Sequence, residues 1–103
     1  MHEPFALLLP VFGGDDASHF ERAFRSSVHD QYLPPDQVVL VQDGPVGDDL
    51  ARCIDHLRTT SPVPVTYLPI ADSGGLGPAL DLGLAASRYG VIARMDADDV
   101  SMP

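Results

Sequence analysis

Asp96-Ala-Asp-Asp99 places three carboxylates within four residues. Side chains alternate along an extended segment, so Asp96 and Asp98 point to one side. Carboxylates this close repel one another unless a cation sits among them. Hard oxygen donors without His or Cys beside them suit Mg2+ or Mn2+. Such an ion usually keeps positions open for phosphate oxygens. The chemistry open to the segment is therefore binding a phosphorylated or nucleotide ligand through a divalent cation. The same four residues could instead solvate a strand end and cap a following helix.

What must position them is an alternation of periods. Phe5 to Phe12 is an apolar run ended by Gly13-Gly14, the pattern of a strand buried on both faces. From Asp15 to His29, Phe20, Ala23, Phe24 and Val28 recur at helical spacing, with Glu21, Arg22 and Arg25 opposite. Ser18 and Glu21 have capping-box spacing, Asp15 and Asp16 suit a helix N-terminus, and Pro34-Pro35 ends the segment. Val38 to Val41 is a second strand, bounded by Asp43-Gly44-Pro45. Leu50 to Leu57 is a short helix with Ala51, Ile54 and either Leu50 or Leu57 on its stripe. Val63 to Ile70 is a third strand, which Pro64 and Pro69 push toward a sheet edge. Ser73 to Pro78 is a turn into a helix over Ala79 to Ser87, and Val91 to Met95 is a fourth strand.

Strands alternating with helices imply parallel strands joined by right-handed crossovers. The expected fold is α/β, an open doubly wound sheet of order 3-2-1-4 in a single domain over 1–103. Ligands bind such sheets beyond the carboxyl ends of the strands, where the order reverses. Pro10 to Asp15, Asp43-Gly44 and Asp96 to Asp99 should therefore meet at one crevice.

Composition narrows the partners. Fifteen acidic residues against six basic ones give a formal charge of −9. That balance argues against nucleic-acid or anionic-membrane binding through the surface as a whole. All six basic residues are Arg, so any site that needs a Lys is excluded within the chain. The lone Cys53 cannot form an internal disulfide, and Arg52 is the only basic neighbour that would favour its thiolate, so a packing role is expected. His2, His19, His29 and His56 have no metal-ligand spacing. Residues 5–12 lack the flanks of a signal peptide, and no apolar run is long enough for a membrane span.

At four places, in order, the sequence resembles the family 2 glycosyltransferases of GT-A fold, in the branch that makes bacterial surface polysaccharides. Leu9-Pro-Val-Phe-Gly-Gly-Asp15 is similar to that family's opening strand and turn, usually Pro-x-Tyr-Asn. Gln31-Tyr-Leu-Pro-Pro-Asp-Gln-Val-Val-Leu-Val-Gln-Asp-Gly-Pro45 resembles Gln-Thr-Leu-Pro-Pro-Asp-Glu followed by a strand and Asp-Asp-Gly. Gly75-Leu-Gly-Pro-Ala-Leu-Asp-Leu-Gly-Leu84 resembles Gly-Leu-x-x-Ala-Leu-Asn-x-Gly-Leu, and Ala93 to Asp99 is similar to the DXD segment. The departures are Gly13 for Asn, Gln42 for the first Asp of the pair, Ser73 for Asn and Asp81 for Asn.

The resemblance implies the donor-binding half of an inverting glycosyltransferase that takes a nucleoside diphosphate sugar, a UDP-sugar first, with Mn2+ or Mg2+. It implies that Pro10 and Phe12 wall the base pocket, Asp43 contacts the base, Asp96 lies by the ribose and Asp98 holds the metal. It also implies a saccharide or lipid-linked acceptor, a catalytic base beyond Pro103 in an acceptor half that these residues lack, and a cytoplasmic enzyme, peripheral to the inner face of the membrane in complete form. Arg94 would help neutralise the acidic crevice, or act as a surface or ion-pairing Arg. Other readings stay open. Asp43 before Gly-Pro can be a turn former only. Asp96-Ala-Asp-Asp-Val100 also fits the nucleophile motif of haloacid-dehalogenase-like phosphatases, although there it follows the first strand and needs a Lys. A non-catalytic nucleotide- or metal-binding fragment is a third reading, with self-association through an exposed edge of the fourth strand.

Overall fold

The computed structural model describes residues 4–28, 34–71 and 76–94. The elements are β1 (Phe5–Phe12), α1 (Ala17–Val28), β2 (Gln37–Asp43), α2 (Asp48–Thr60), β3 (Val65–Ile70), α3 (Leu76–Ala86) and β4 (Val91–Arg94). All pairings are parallel and the order is β3-β2-β1-β4, as the alternation of periods implies. β1 lies inside the sheet and is buried from Ala6 to Val11. Among the described residues β3 is an outer strand, where the exposed Pro69 interrupts no further ladder.

The two faces carry different helices. Leu7, Leu9 and Val11 of β1 join Val38 and Leu40 of β2 under α1 and α2. Phe20, Ala23, Phe24 and Val28 supply the stripe of α1, with the Phe20 and Phe24 rings tilted at 6.5 Å. Leu50, Ile54 and Leu57 supply that of α2, so both leucines face inward while Ala51 is only half-buried. On the opposite face Leu8, Val39 and Val41 pack against Ala79 of α3.

Several boundaries differ from those expected: β2 is longer, over Gln37–Asp43, and β3 starts at Val65, past Pro64. The cap of α1 is Asp16 and not Ser18. Asp16 Oδ1 accepts the backbone N–H groups of Ser18 and His19 at 2.8 and 3.1 Å, as well as the Ser18 hydroxyl. A carboxylate offers a full negative charge to the helix N-terminus, which a hydroxyl cannot. The Ser18 hydroxyl, then the backbone N–H groups of His19 and Ser18, hold the Asp16 carboxyl below its usual pKa. Glu21 is left to pair with Arg25 at 2.8 Å. Helix α2 runs beyond 50–57 at both ends. Asp48 and Asp49 suit its first turn, and the Thr59 and Thr60 hydroxyls bond back to carbonyls of Asp55 and His56 in its last. Helix α3 starts at Leu76, so Pro78 lies in its first turn, where a missing N–H breaks no helical bond.

Gln37, 1% exposed, joins strands to helix on the α3 face. Its Nε2 donates to Thr66 Oγ1 of β3 at 2.9 Å and to the Ala86 carbonyl at 3.3 Å. Its Oε1 accepts the Arg88 N–H at 2.9 Å. A buried amide with its hydrogen bonds made couples three segments that apolar packing alone would leave free to slide.

Candidate functional site at the carboxyl ends of the inner strands

β1 and β2 end in step: Pro10 lies opposite Val41, Val11 opposite Gln42, and Phe12 opposite Asp43. Because side chains alternate, Leu8, Pro10 and Phe12 share a face with Val39, Val41 and Asp43. Pro10 is buried, whereas Phe12 keeps 54% of its surface in solvent and Asp43 is half-buried. An exposed aromatic ring thus stands at the same level as a carboxylate, with a buried proline below.

The loops beyond these strands hold that arrangement. In the β1–α1 loop, Asp15 N–H donates to the Phe12 carbonyl and Phe12 N–H donates to Asp15 Oδ2, both at 3.0 Å. In the β2–α2 loop, Gly44 adopts φ 86°, where a side chain would be strained. Its N–H donates to the Ile70 carbonyl at 3.1 Å, tying the turn to β3. The two loops touch. A Cβ built on Gly13 would stand 2.7 Å from the Pro45 carbonyl oxygen. A side chain at position 13 would therefore need the Pro45 backbone to shift.

Gln42 stands out in the sequence as a departure from the family pattern, but its partner Tyr67 does not. Gln42 points to the α1/α2 face, away from Asp43. Its Nε2 donates to the Gly44 carbonyl at 3.1 Å, and its Oε1 accepts from the Tyr67 hydroxyl of β3. The Arg58 guanidinium lies 4.8 Å from the Tyr67 ring centroid. Burial raises the Tyr67 pKa, with Arg58 opposing and Asp55 adding a smaller rise. The only local signal was a Gln at the end of an apolar strand, which marks no partner 25 residues away.

Asp96, Asp98 and Asp99 lie outside the described residues, as do Ser73, His2 and His29. The fourth strand is described to Arg94, which is exposed and pairs with Leu8. Among the described residues no group of three or more His, Cys, Asp or Glu could hold a metal ion. Asp81 is exposed on α3, and His19 and His56 are exposed on α1 and α2. Cys53 is half-buried with its Sγ 3.6 Å from the Ala17 carbonyl, and burial raises its pKa, as suits a packing role. Among the described residues no helix is long and apolar enough to cross a membrane.

The profile described as glycosyl transferase family 2 matches residues 13–103. The amylovoran biosynthesis glycosyltransferase AmsE of Erwinia amylovora is 34% identical over 99 residues, which cover 96% of this chain and 36% of that protein. The UDP-Gal:alpha-D-GlcNAc-diphosphoundecaprenol beta-1,3-galactosyltransferase of Escherichia coli is 29% identical over 102 residues, 94% of this chain and 34% of that one. The chain thus spans about a third of the length of these relatives. The crystal structure of S. aureus TarS 1-349 superposes with a TM-score of 0.75 at 19% identity, over 94% of this chain and 28% of that one. That likeness establishes the fold.

Proposed function

The chain belongs to glycosyl transferase family 2, and from that premise we propose that residues 1–103 are the donor-binding part of an enzyme that transfers a sugar from a nucleoside diphosphate. The observation that carries this reading is the direct pairing of Phe12 with Asp43 at the open end of the sheet. The ring offers a face on which a base can stack. The carboxylate accepts hydrogen bonds only, which suits the N–H of a uracil ring and makes a UDP-sugar the first donor to test. Pro10 closes the floor beneath the ring.

Asp96 and Asp98 follow Arg94 by two and four residues. In this reading Asp96 lies by the ribose, and Asp98 holds Mn2+ or Mg2+. The donors available are hard oxygens, which fits either ion. When bound, the ion would offset the negative charge of the leaving diphosphate. Transfer would invert the anomeric carbon. The acceptor oxygen, losing its proton to a base, would bond to that carbon as the bond to the diphosphate breaks and its electron pair leaves on the diphosphate oxygen. The reading assigns the base and the acceptor-binding residues to none of residues 1–103. The names of the relatives favour a saccharide or lipid-linked acceptor in bacterial polysaccharide assembly. An enzyme of that kind would work in the cytoplasm or at the inner face of the membrane. Self-association through β4 belongs to the same proposal. Among the described residues that strand pairs with β1 alone, and Val91 is 43% exposed. A monomeric mass by light scattering at high concentration would reject it.

Calorimetric titration with UDP tests the donor site. Mn2+ or Mg2+ should strengthen binding, Asp98→Asn should remove most of that gain, and Asp43→Ala should weaken nucleotide with or without metal. Equal affinity with and without metal in the parent chain would reject the metal site.

A further inference from the structure

We infer that Gln42 and Tyr67 are positioning residues for base recognition, acting through the Asp43-Gly44 turn, an inference that rests on the donor-binding reading above. The hydrogen bonds leave no freedom in how the amide is oriented. The Gly44 carbonyl can only accept, so the group facing it at 3.1 Å must be the Gln42 NH2. The other end of the amide is then an acceptor, and the Tyr67 hydroxyl donates to it. The relay runs from β3 through Tyr67 and Gln42 to Gly44, whose N–H is bound in turn to the Ile70 carbonyl of β3 at 3.1 Å. Both polar groups of the Gly44 backbone are therefore referred to the neighbouring strand, one directly and one through two side chains.

Asp43 stands between Gln42 and Gly44, on the opposite face of β2 from the Gln42 side chain. Its carboxylate can meet a base only where the turn lets it stand. Gly44 at φ 86° has no side chain to brace the turn, so its carbonyl is the natural place to hold it. Arg58, 4.8 Å from the Tyr67 ring centroid, anchors the far end of the relay to α2. An ionised acid at position 42 could accept from Tyr67 but not donate to Gly44. The consequence is selectivity among bases, because ribose and diphosphate would not depend on Asp43.

The test compares UDP, CDP and ADP, each with and without Mn2+, in the parent chain, in Gln42→Glu and in Tyr67→Phe. Gln42→Glu is isosteric and sets a carboxylate oxygen against the Gly44 carbonyl. It should lower UDP affinity about tenfold, the size of one hydrogen bond lost. CDP and ADP affinities, and the gain from Mn2+, should stay as in the parent. Tyr67→Phe keeps the amide and removes only the hydroxyl, so it should move UDP in the same direction by a smaller factor, with folding confirmed by circular dichroism. Losses equal for all three nucleotides, or unchanged UDP affinity in both variants, would overturn the inference while leaving the donor site intact. A parent chain that binds none of the three would overturn the donor-binding reading, and this inference with it.

Discussion

The two faces of the sheet are built differently. Under α1 and α2, twelve buried residues among those described form one cluster that includes Phe20, Phe24 and five leucines. Under α3 the buried cluster is Leu8, Val39, Val41 and Ala79. The first face fills its space with large side chains between sheet and helices. On the second, helix backbone comes down on the strand. A Cβ built on Gly83 would lie 2.2 Å from Leu8 Cδ1 and 3.1 Å from Val41 Cγ2. Of the leucines of α3, Leu80 packs against this cluster, while Leu82 and Leu84 point away and are about half exposed. Hydrophobicity of a helix thus says how much it could bury, while residue size on the contact stripe decides how close it comes.

The largest effect should come from the first face. Phe24→Ala removes a fully buried ring from the α1 stripe and should destabilise the fold by about 4 kcal/mol in urea unfolding. A loss under 1 kcal/mol would mean that this face is not the main source of stability. Next is the polar tie on the other face. Gln37→Leu leaves the Arg88 N–H, the Ala86 carbonyl and the Thr66 hydroxyl short of a partner, and about 2 kcal/mol should be lost. Urea midpoints equal to the parent's would show that packing alone positions α3.

Gly83→Ala comes third. Helix propensity favours Ala by about 1 kcal/mol, but the added methyl must displace Leu8, a cost of about 1–3 kcal/mol. The net change should be a loss of about 1 kcal/mol. A Leu8→Ala background gives the methyl room, so there the substitution should turn neutral or stabilising, and additive effects in this double-mutant cycle would show that the two side chains do not compete. The smallest effect should be at Leu82, which is 50% exposed. Leu82→Ala should change stability by under about 0.5 kcal/mol, and a larger loss would place that side chain in a contact that its exposure conceals.

Acidity offers a finer probe of the α1 end. The Asp16 pKa is lowered in the fold, so its ionised form stabilises the native state. That contribution is present above the ordinary carboxylate pKa of 3.8 and disappears as pH falls through the lower folded value. Asp16→Ala should therefore destabilise at pH 7 and matter little near pH 2, as read by thermal melts at both values.

The kind and order of the elements are legible in the residues alone. Apolar runs stopped by Gly or Pro mark strands at 5–12, 38–41 and 63–70, and the 3.6-residue period marks the buried stripe of α1, because burial on a sheet and on a helix imposes different spacings. Two prolines also marked β3 as an outer strand, because a missing N–H weakens a ladder. From that order the 3-2-1 arrangement and the meeting of Phe12 with Asp43 follow, since parallel strands end on the same side.

Distances between segments far apart in the chain emerge only once the fold is complete. Gly13 is small because Pro45 lies against it, and Gly83 because Leu8 does. Gln37 and Gln42 look alike in the sequence, yet one ties α3 to the sheet and the other braces a turn. Even the choice between Asp16 and Ser18 as cap, two residues apart, turned on where the first helical turn begins. A residue's spacing reports which way it faces, but a hydrogen bond needs a partner within about 3 Å, and packing of the whole sheet sets that distance.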